Sequence, residues 1–285
     1  MTNPTLALDI GGTKMLAALV EGAAVADTFS MPTPREGNPK EWLKALFRQI
    51  APWQGRYGRI GIAVTGIVDD GRWSALNRKT LDIPDRFPLT ETVSSITACP
   101  AFAANDAQAA AWGEHRFGAG ASEDMIFLTI STGIGGGIVA GGRLLQGIAG
   151  HFGLFRVQDF ENAGAFDSAV EDHISGNWIA QAASRHRPDA TARDVFEAAR
   201  EGAQWAEEII DLSARRAALL CRNVQLAIDP PRIVIGGGIG LAPGYLERIE
   251  ARLAGVPERL RPKLVAARLG DKAGVVGIAD LADNQ

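Results

Sequence analysis

The order of secondary-structure signals along the sequence predicts an α/β protein. Short runs rich in apolar and β-branched residues alternate with glycine turns, and a long helical pattern occupies much of the second half of the 285-residue chain. Strands and helices mixed in this order are typical of α/β folds. With 46% apolar and 22% charged residues, the chain is long enough for one large domain or two modest ones.

The first half of the chain contains a strand pair followed by a capped helix. The predicted strands are residues 6–10, 15–20, 60–65 and 101–104. Only four residues join the first two strands, which predicts an antiparallel pair, and a turn is predicted at residues 66–71. The pair Asn105-Asp106 precedes an Ala-rich helix over residues 107–117, and both residue types are preferred at helix N-caps.

The second half repeats this plan before it becomes helical. The predicted strands are residues 125–130, 138–140 and 232–235. A glycine loop at residues 131–137 separates the first two strands, and a helical pattern extends over residues 176–226 until Pro230-Pro231 stops it. A last helix is predicted over residues 274–281.

Glycine-rich turns are the most informative local feature. Residues 9–14, Asp-Ile-Gly-Gly-Thr-Lys, lie between two strands, so they match neither the P-loop nor the dinucleotide fingerprint. Their backbone amides can form an anion-binding nest, although an ordinary hairpin turn explains a lone Gly-Gly pair as well. The loop at residues 131–137 carries the same Thr and Gly chemistry about 120 residues later, which favours a phosphate ligand. A third cluster, residues 236–240, follows a strand, where bare backbone lets a flat adenine ring pack closely.

Composition argues against several classes of protein. The net charge is −4 and no run of Lys and Arg is present, so we expect no nucleic-acid partner. No apolar run approaches the roughly 18 to 20 residues that span a bilayer, and the N-terminus lacks a signal-peptide pattern, so we expect a cytoplasmic protein. The two cysteines, Cys99 and Cys221, are far apart and suggest neither a disulfide framework nor a thiolate metal site.

Four motifs together resemble the ROK family of sugar kinases. They are DIGGTK, NDAQAAAWGE, STGIGGG and VIGGG, and their order and spacing match the family over nearly the whole chain. The resemblance implies an actin- and hexokinase-like ATPase fold with two ribonuclease-H-like lobes and a nucleotide and sugar cleft between them. It places the N-terminal lobe at residues 1–118, the C-terminal lobe at 119–272, and at 273–285 a terminal helix that returns to the N-terminal lobe.

Other segments resemble one branch of the family, the bacterial N-acetylmannosamine kinases. These segments are SALNRKTLDIPDRFPL, the extended NDAQAAAW, and Gly150-His151 in place of Gly-Glu. This resemblance implies ATP-dependent phosphorylation of N-acetyl-D-mannosamine at its 6-hydroxyl, within sialic acid and amino-sugar catabolism. It also implies Mg²⁺ beside the nucleotide, with Asp9 near it, and a homodimer.

The resemblance also implies a role for individual residues. Asp106 matches the family's catalytic base, and a positioned carboxylate at a helix start suits that task because a sugar hydroxyl needs a proton acceptor. Helix capping also explains Asn105 and Asp106, and the two roles are compatible. The residues implied in binding ATP are Ala7, Leu8, Asp9, Ile10, Gly11, Gly12, Thr13, Lys14, Thr132, Gly133, Ile134, Gly135, Gly136, Gly137, Ile138, Val139, Gly236, Gly237 and Gly238.

The residues implied in binding sugar are Gly66, Asn77, Asn105, Asp106, His151 and Glu171. Carboxylates and amides suit this task because each can satisfy two hydroxyl groups. Outside the family register, Glu171 would be read as a solvated helix residue and His151 as a partly buried histidine.

The sequence departs from the family at its structural zinc site. Most members carry a histidine three positions beyond the pair at Gly150-His151 and then a C-x-C-G-x-x-G-C segment. Leu154 occupies the histidine position here, and residues 157–169 contain no cysteine, so the tetrahedral nitrogen and sulfur ligands cannot be assembled. We therefore expect no structural zinc. Either Phe152, Phe155 and Phe166 order this loop by packing, or the affinity for sugar is weak.

Three alternatives remain open at this point. The chain is an N-acetylmannosamine kinase, a glucokinase or fructokinase of the same family, or a sugar sensor that binds without turnover. The presence of Asp106 and of both phosphate loops argues against the sensor. The family's transcriptional repressors carry a helix-turn-helix domain ahead of the first loop, and because that loop starts here at Asp9 we expect no such domain.

Overall fold

The computed structural model describes residues 3–34, 38–76, 81–157 and 168–285. The strands are β1 (Thr5–Ile10), β2 (Lys14–Glu21), β3 (Ala24–Pro32), β4 (Ile60–Val64), β5 (Ile67–Asp69), β6 (Arg72–Ser74), β7 (Phe87–Pro88), β8 (Ala101–Asn105), β9 (Met125–Ile130), β10 (Ile134–Ala140), β11 (Arg143–Leu144), β12 (Arg156–Val157), β13 (Ser168–Ala169), β14 (Ile233–Gly236) and β15 (Leu264–Ala266). The α-helices are α1 (Pro39–Gln49), α2 (Leu89–Thr97), α3 (Asp106–Phe117), α4 (Glu171–Ile174), α5 (Gly176–Ala183), α6 (Ala192–Arg200), α7 (Gln204–Ile228), α8 (Gly237–Gly240), α9 (Tyr245–Leu253) and α10 (Ala273–Asp283).

The first sheet has the strand order β3-β2-β1-β4-β8. β1 pairs antiparallel with β2, which confirms the prediction from the short connection, and β1, β4 and β8 run parallel. Successive side chains of a strand point to opposite faces. Leu6 and Leu8 of β1 accordingly belong to the core cluster that includes Trp42 of α1, while Ala7 belongs to the cluster that includes Val276 of α10. Helices therefore cover both faces of this sheet.

The second sheet has the strand order β11-β10-β9-β14-β15. β14 runs parallel to both β9 and β15, and the strands predicted at residues 125–130 and 232–235 are confirmed. β10, in contrast, begins at Ile134 and not at residue 138, so Gly135, Gly136 and Gly137 lie in a strand and not in the predicted loop. Packing explains the glycine at Gly136, because a Cβ atom there would overlap the carbonyl oxygen of Phe127 and lie 2.6 Å from the ring of Phe152.

The predicted turn at residues 66–71 is a hairpin. β5 pairs antiparallel with β6, and the chain reverses at Asp70 and Gly71, whose φ angles are 46° and 69°. Positive φ at both central residues matches the right-handed twist of the strands. The sequence predicted the turn but not the two short strands that it joins.

The long helical pattern at residues 176–226 forms the separate helices α5, α6 and α7. A capping box starts α6, in which Thr191 Oγ1 accepts from the Asp194 amide (3.3 Å) and Asp194 accepts from the Thr191 amide (2.8 Å). Gly202, at φ 90°, turns the chain between α6 and α7. None of the helices in the described ranges is long and apolar enough to cross a membrane.

The chain divides into two compact units. The first comprises Met1–Ser122, Gly137–Ala149 and Asp271–Gln285, and the second comprises Glu123–Gly136 and Gly150–Gly270. The sequence limits after residues 118 and 272 lie close to two of these divisions. The segment 137–149, which the sequence reading assigned to the second lobe, is grouped with the first unit because it packs on α3.

α10 lies very close to α3 in the first unit. A Cβ atom at Gly277 would overlap the carbonyl oxygen of Ala109, and one at Gly113 would overlap that of Ala273. Small residues let the two backbones approach until no side chain fits between them. The backbone contact with α10 therefore fixes the position of α3 along its length.

We predict that Gly277→Ala lowers the free energy of unfolding by about 1 to 3 kcal/mol, because the added methyl overpacks the contact with Ala109. In an open helix the same change would increase stability by about 1 kcal/mol, so the sign of the effect is diagnostic. Urea unfolding measures it. The control is Gly255→Ala, whose Cβ atom would meet nothing within 4 Å. A Gly277→Ala protein as stable as the wild type would contradict the contact.

Candidate active site

The turn between β1 and β2 exposes unbonded backbone amides. It is closed by one hydrogen bond, from the Gly11 amide to the Lys14 carbonyl oxygen (3.0 Å). Thr33 supports it, since its hydroxyl donates to the Gly11 carbonyl oxygen (2.7 Å) and its amide to that of Thr13 (3.0 Å). Within the described part of the chain, the amides of Gly12 and Thr13 have no acceptor. Two adjacent amides of this kind form a nest for an anion.

Ala7, Leu8 and Ile10, which precede this turn, have fully buried side chains that pack in the core. Of the predicted ATP-binding residues in β1, only Asp9 has a side chain that is not fully buried. The other three side chains pack in the core on the two faces of the sheet and so hold the strand that leads into the turn.

Two partly buried carboxylates, Asp9 and Asp106, lie at the end of β1 and the start of α3. Burial, with a smaller contribution from the negative charge of Asp106, raises the pKa of Asp9 to about 6, while Lys14 acts in the opposite direction. Burial also raises the pKa of Asp106, although the Ala107 amide donates to its carboxylate at 2.8 Å. Both groups are therefore stronger proton acceptors than exposed aspartates.

Asn105 fixes the start of α3. Its Oδ1 accepts from the amides of Ala107 (2.9 Å) and Gln108 (3.2 Å), which is an N-cap, as the sequence predicted. Its Nδ2 donates to the carbonyl oxygen of Gly66 (2.9 Å), which has φ 111°. A Cβ atom at Gly66 would overlap the carbonyl oxygen of Ser74. Two of the predicted sugar ligands are thus bonded to each other, and the Asn105 side chain also hydrogen-bonds the carboxyl group of Asp106, the third of them.

Gln108 contributes a contact that the sequence reading missed. It is buried on α3, and its Nε2 donates to the carbonyl oxygens of Gly147 (3.0 Å) and Ala149 (2.8 Å). This side chain therefore anchors residues 147–149, the segment directly before Gly150-His151. The available signal was a glutamine on the buried face of an Ala-rich helix.

The second glycine turn has the same design as the first. The Ser131 amide donates to the Gly133 carbonyl oxygen (2.9 Å), and within the described ranges the amides of Thr132 and Gly133 have no acceptor. The first turn of α5 supports it, since the amides of Gly176 and Asn177 donate to the carbonyl oxygens of Ser131 (2.7 Å) and Thr132 (3.2 Å). The turn comprises only residues 131–133. The predicted ATP-binding residues Ile134, Ile138 and Val139 lie in strand β10.

Glu171 lies against this turn. Its Oε2 accepts from the Ile134 amide at 3.4 Å, and the position of a Cβ atom at Gly133 would be 3.0 Å away. A solvated helix residue, the alternative weighed from the sequence, does not fit these contacts. His151 is partly buried and precedes a 3₁₀ turn at Phe152–Leu154.

Hydrogen bonds join the described residues on either side of the segment in which the resemblance implies zinc ligands. β12 pairs antiparallel with β13, the Val170 amide donates to the Phe155 carbonyl oxygen (2.9 Å), and Ser168 Oγ bonds His173 Nε2 (2.6 Å). Phe152 is buried and packs edge-to-face with Phe155 at 5.5 Å. Phe166, the third phenylalanine expected there, lies outside the described residues.

The described part of the chain contains no cluster of three His, Cys, Asp or Glu residues that could hold a metal ion. Leu154, at the position of the family histidine, is exposed. The absence of zinc stays a prediction because residues 158–167 lie outside the described ranges.

The third glycine cluster spans the end of β14 and the short helix α8. Gly236 and Gly237 are constrained by packing: Cβ atoms there would lie 2.7 Å from the Phe127 ring and 2.6 Å from Thr129 Oγ1. Gly238, in contrast, has open space around its Cβ position. Gly238 alone of the three is thus free of the constraints that its neighbours meet.

The structure brings the predicted residues together in two separate sets. In the first unit, Asp9 precedes the first turn and interacts electrostatically with Asp106, and Asn105 hydrogen-bonds Gly66. In the second unit, Glu171 accepts a hydrogen bond from the residue that follows the second turn. Asn77, predicted to bind sugar, lies outside the described residues. Thr33 was missed because it is outside every glycine motif.

The ROK family model matches residues 5–285, which is nearly the whole chain. The chain belongs to the ROK family. This agrees with the four motifs and confirms the predicted family and α/β fold class.

Individual proteins are also similar to this chain over nearly its whole length. The bifunctional enzyme NanE/NanK of Brucella melitensis is 45% identical over 99% of this chain, and the chain spans about half, 54%, of that protein's length. The N-acetylmannosamine kinase of Escherichia coli is 40% identical over 99% of both chains. A solved structure, a ROK family glucokinase from Streptomyces griseus in complex with glucose and AMPPNP, is 30% identical, covers 99% of this chain and 100% of its own, and superposes with a TM-score of 0.82.

The raised pKa of Asp9 predicts a pH-dependent gain of stability in Asp9→Asn. Because the folded state binds this proton more tightly than the unfolded state, the ionised carboxylate destabilises the fold above pH 6, and this cost disappears as the pH falls from about 6 towards 3.8. The substitution should therefore stabilise the protein at pH 8 by about 1 to 3 kcal/mol and change little near pH 4.

Calorimetric melting temperatures at both pH values, measured with a chelator present, check this prediction. The control is Asp70→Asn in the exposed β5–β6 turn, which should alter stability at neither pH. Equal melting temperatures for Asp9→Asn and the wild type at pH 8 would contradict the assigned pKa.

Proposed function

We propose that this protein is an ATP-dependent kinase that phosphorylates N-acetyl-D-mannosamine at its 6-hydroxyl, in sialic acid and amino-sugar catabolism. The observation that carries the choice of sugar is the 40% identity to the Escherichia coli N-acetylmannosamine kinase, which extends over 99% of both chains. The bifunctional enzyme NanE/NanK of Brucella melitensis is also similar to this chain, at 45% identity over 99% of it.

Asp106 is the proposed catalytic base. It accepts the proton of the sugar 6-hydroxyl as that oxygen attacks the γ-phosphorus of ATP, the bond from the γ-phosphorus to the bridging oxygen breaks, and ADP leaves. Burial raises the pKa of this carboxyl towards the working pH, which makes it a better proton acceptor. Its place at the first residue of a capped helix holds the carboxylate still.

The two glycine turns are the proposed phosphate sites. Each keeps a pair of neighbouring amides without an acceptor in the described structure, at Gly12 and Thr13 and at Thr132 and Gly133. Amide pairs of this kind bind the oxygen atoms of phosphate groups. Gly238, with open space around it, is the proposed wall of the adenosine pocket.

Asp9 suits a Mg²⁺ ion that accompanies the nucleotide. Mg²⁺ is usually held by one or two carboxylates together with substrate phosphates, and Asp9 is a partly buried carboxylate at the end of the strand that leads into the first turn. The ion would neutralise phosphate charge there. It would also favour the ionised form of Asp9, whose pKa burial otherwise raises to about 6.

Glucose is the second candidate substrate. The Streptomyces griseus structure is a glucokinase, and the similarity to it extends over the whole chain. Glucose lacks the N-acetyl group, so a requirement for that group separates the two hypotheses.

We expect the purified protein to phosphorylate N-acetylmannosamine with ATP and Mg²⁺ in preference to glucose, N-acetylglucosamine and fructose, and to retain this activity after zinc removal. Asp106→Asn should lower kcat by about 10² to 10⁴-fold because the proton acceptor is lost. A coupled ADP-release assay measures both. Preference for glucose would overturn the choice of sugar, and full activity of Asp106→Asn would overturn the assignment of the base.

The protein is proposed to act in the cytoplasm as a homodimer. Leu219 and Leu226, seven residues apart on α7, are 55% and 56% exposed and offer one apolar face for self-association. Light scattering should give twice the mass of one chain, and the Leu219→Glu, Leu226→Glu double variant should give the mass of one chain. A monomeric wild type would contradict the proposal.

A further inference from the structure

The residues proposed to bind sugar and those proposed to bind phosphate are in direct contact within the second unit. Glu171 belongs to the first set and Ile134 to the second, and the Ile134 amide donates to Glu171 Oε2 at 3.4 Å. Ile134 is the first residue of β10, directly after the turn whose Thr132 and Gly133 amides form the second nest. Glu171 thus contacts the point where this turn joins its strand.

Glycines on both sides make room for the Glu171 carboxylate. Cβ positions at Gly133 and Gly153 would lie 3.0 Å and 3.2 Å from its Oε2. A side chain at Gly153 would also overlap the carbonyl oxygen of Ile134. The carboxylate therefore occupies a close-fitting space between the second turn and the 3₁₀ turn that follows His151.

The other side of the turn is held by backbone alone. The first amides of α5 bind the carbonyl oxygens of Ser131 (2.7 Å) and Thr132 (3.2 Å), which leaves the amides of Thr132 and Gly133 between two anchors. One anchor is α5, and the other is the Glu171 carboxylate. Among the described residues, Glu171 is the side chain that bonds a backbone amide of this segment.

We infer that Glu171 is a positioning residue for the second phosphate turn: its carboxylate holds the Ile134 amide, and through it the nest, before any sugar is bound. The inference rests on the proposed function and adds a second task to a residue otherwise assigned to sugar alone. Nucleotide affinity then depends on Glu171 in the absence of sugar. A residue that contacted only sugar would leave that affinity unchanged.

The test compares two substitutions of opposite character. Glu171→Gln keeps the length and an acceptor oxygen but removes the charge, whereas Glu171→Asp keeps the charge but draws the acceptor back by one methylene. We expect Glu171→Asp to weaken the binding of ADP with Mg²⁺, measured by calorimetry without sugar, by roughly 5- to 10-fold, because a hydrogen bond to the turn is lost. Glu171→Gln should stay within about 2-fold of the wild type, since its amide oxygen still accepts from Ile134.

Glu197→Asp, on the exposed face of α6, is the matched control and should bind ADP like the wild type. Steady-state kinetics supply a second readout, in which Glu171→Asp raises the KM for ATP as well as that for sugar, while Glu171→Gln raises mainly the KM for sugar. ADP binding by Glu171→Asp within 2-fold of the wild type would overturn the positioning role and leave the proposed kinase intact. A wild-type protein that binds no ADP would overturn the proposed function and this inference with it.

Discussion

The hydrogen bonds of the Asn105 side chain hold together the part of the first unit on which the proposed chemistry depends. One amide group caps α3 through Ala107 and Gln108 and also reaches the carbonyl oxygen of Gly66. The first amides of a helix have no partner inside the helix, so a side chain that satisfies them also sets where the helix begins. Asp106 is the first residue after this cap, and its place follows from it.

A second constraint acts on the same helix along its length. The backbones of α3 and α10 meet at glycine and alanine positions, where no larger side chain fits. Contacts of this kind leave little freedom for sliding or rotation, because interiors are packed as densely as crystals. The carboxylate of Asp106 therefore stands on an element that is fixed at its start by hydrogen bonds and farther along by packing. Holding a carboxylate in a site that raises its pKa opposes stability, and such opposition is common where function needs a strained or desolvated group.

Different contacts hold the two glycine turns in place. Each is closed by one backbone hydrogen bond and leaves two adjacent amides for an anion. Thr33 braces the first turn, whereas the start of α5 and the carboxylate of Glu171 brace the second. A turn rich in glycine has high conformational entropy, so supports from elsewhere in the chain are needed to keep its amides in place. Residues 156–157 and 168–173 are likewise held by contacts between separate parts of the chain, namely the β12–β13 pair and the bond between Ser168 and His173.

Sequence alone determined what depends on residues that are near in the chain. It determined the α/β class, the positions of β1, β2, β9 and β14, the cap at Asn105 and the family, because periodicity, turn chemistry and ordered motifs are local properties. Tertiary structure decided what depends on residues that are far apart in the chain. It decided that Gly136 and Gly137 lie in a strand. It also decided that Thr33 and Gln108 hydrogen-bond loops distant in sequence, and that Glu171 accepts a hydrogen bond from Ile134. The hydrogen bonds of Thr33, Gln108 and Glu171 join residues separated by 22 to 41 positions, and no local pattern specifies which distant side chain will fill the space beside a turn.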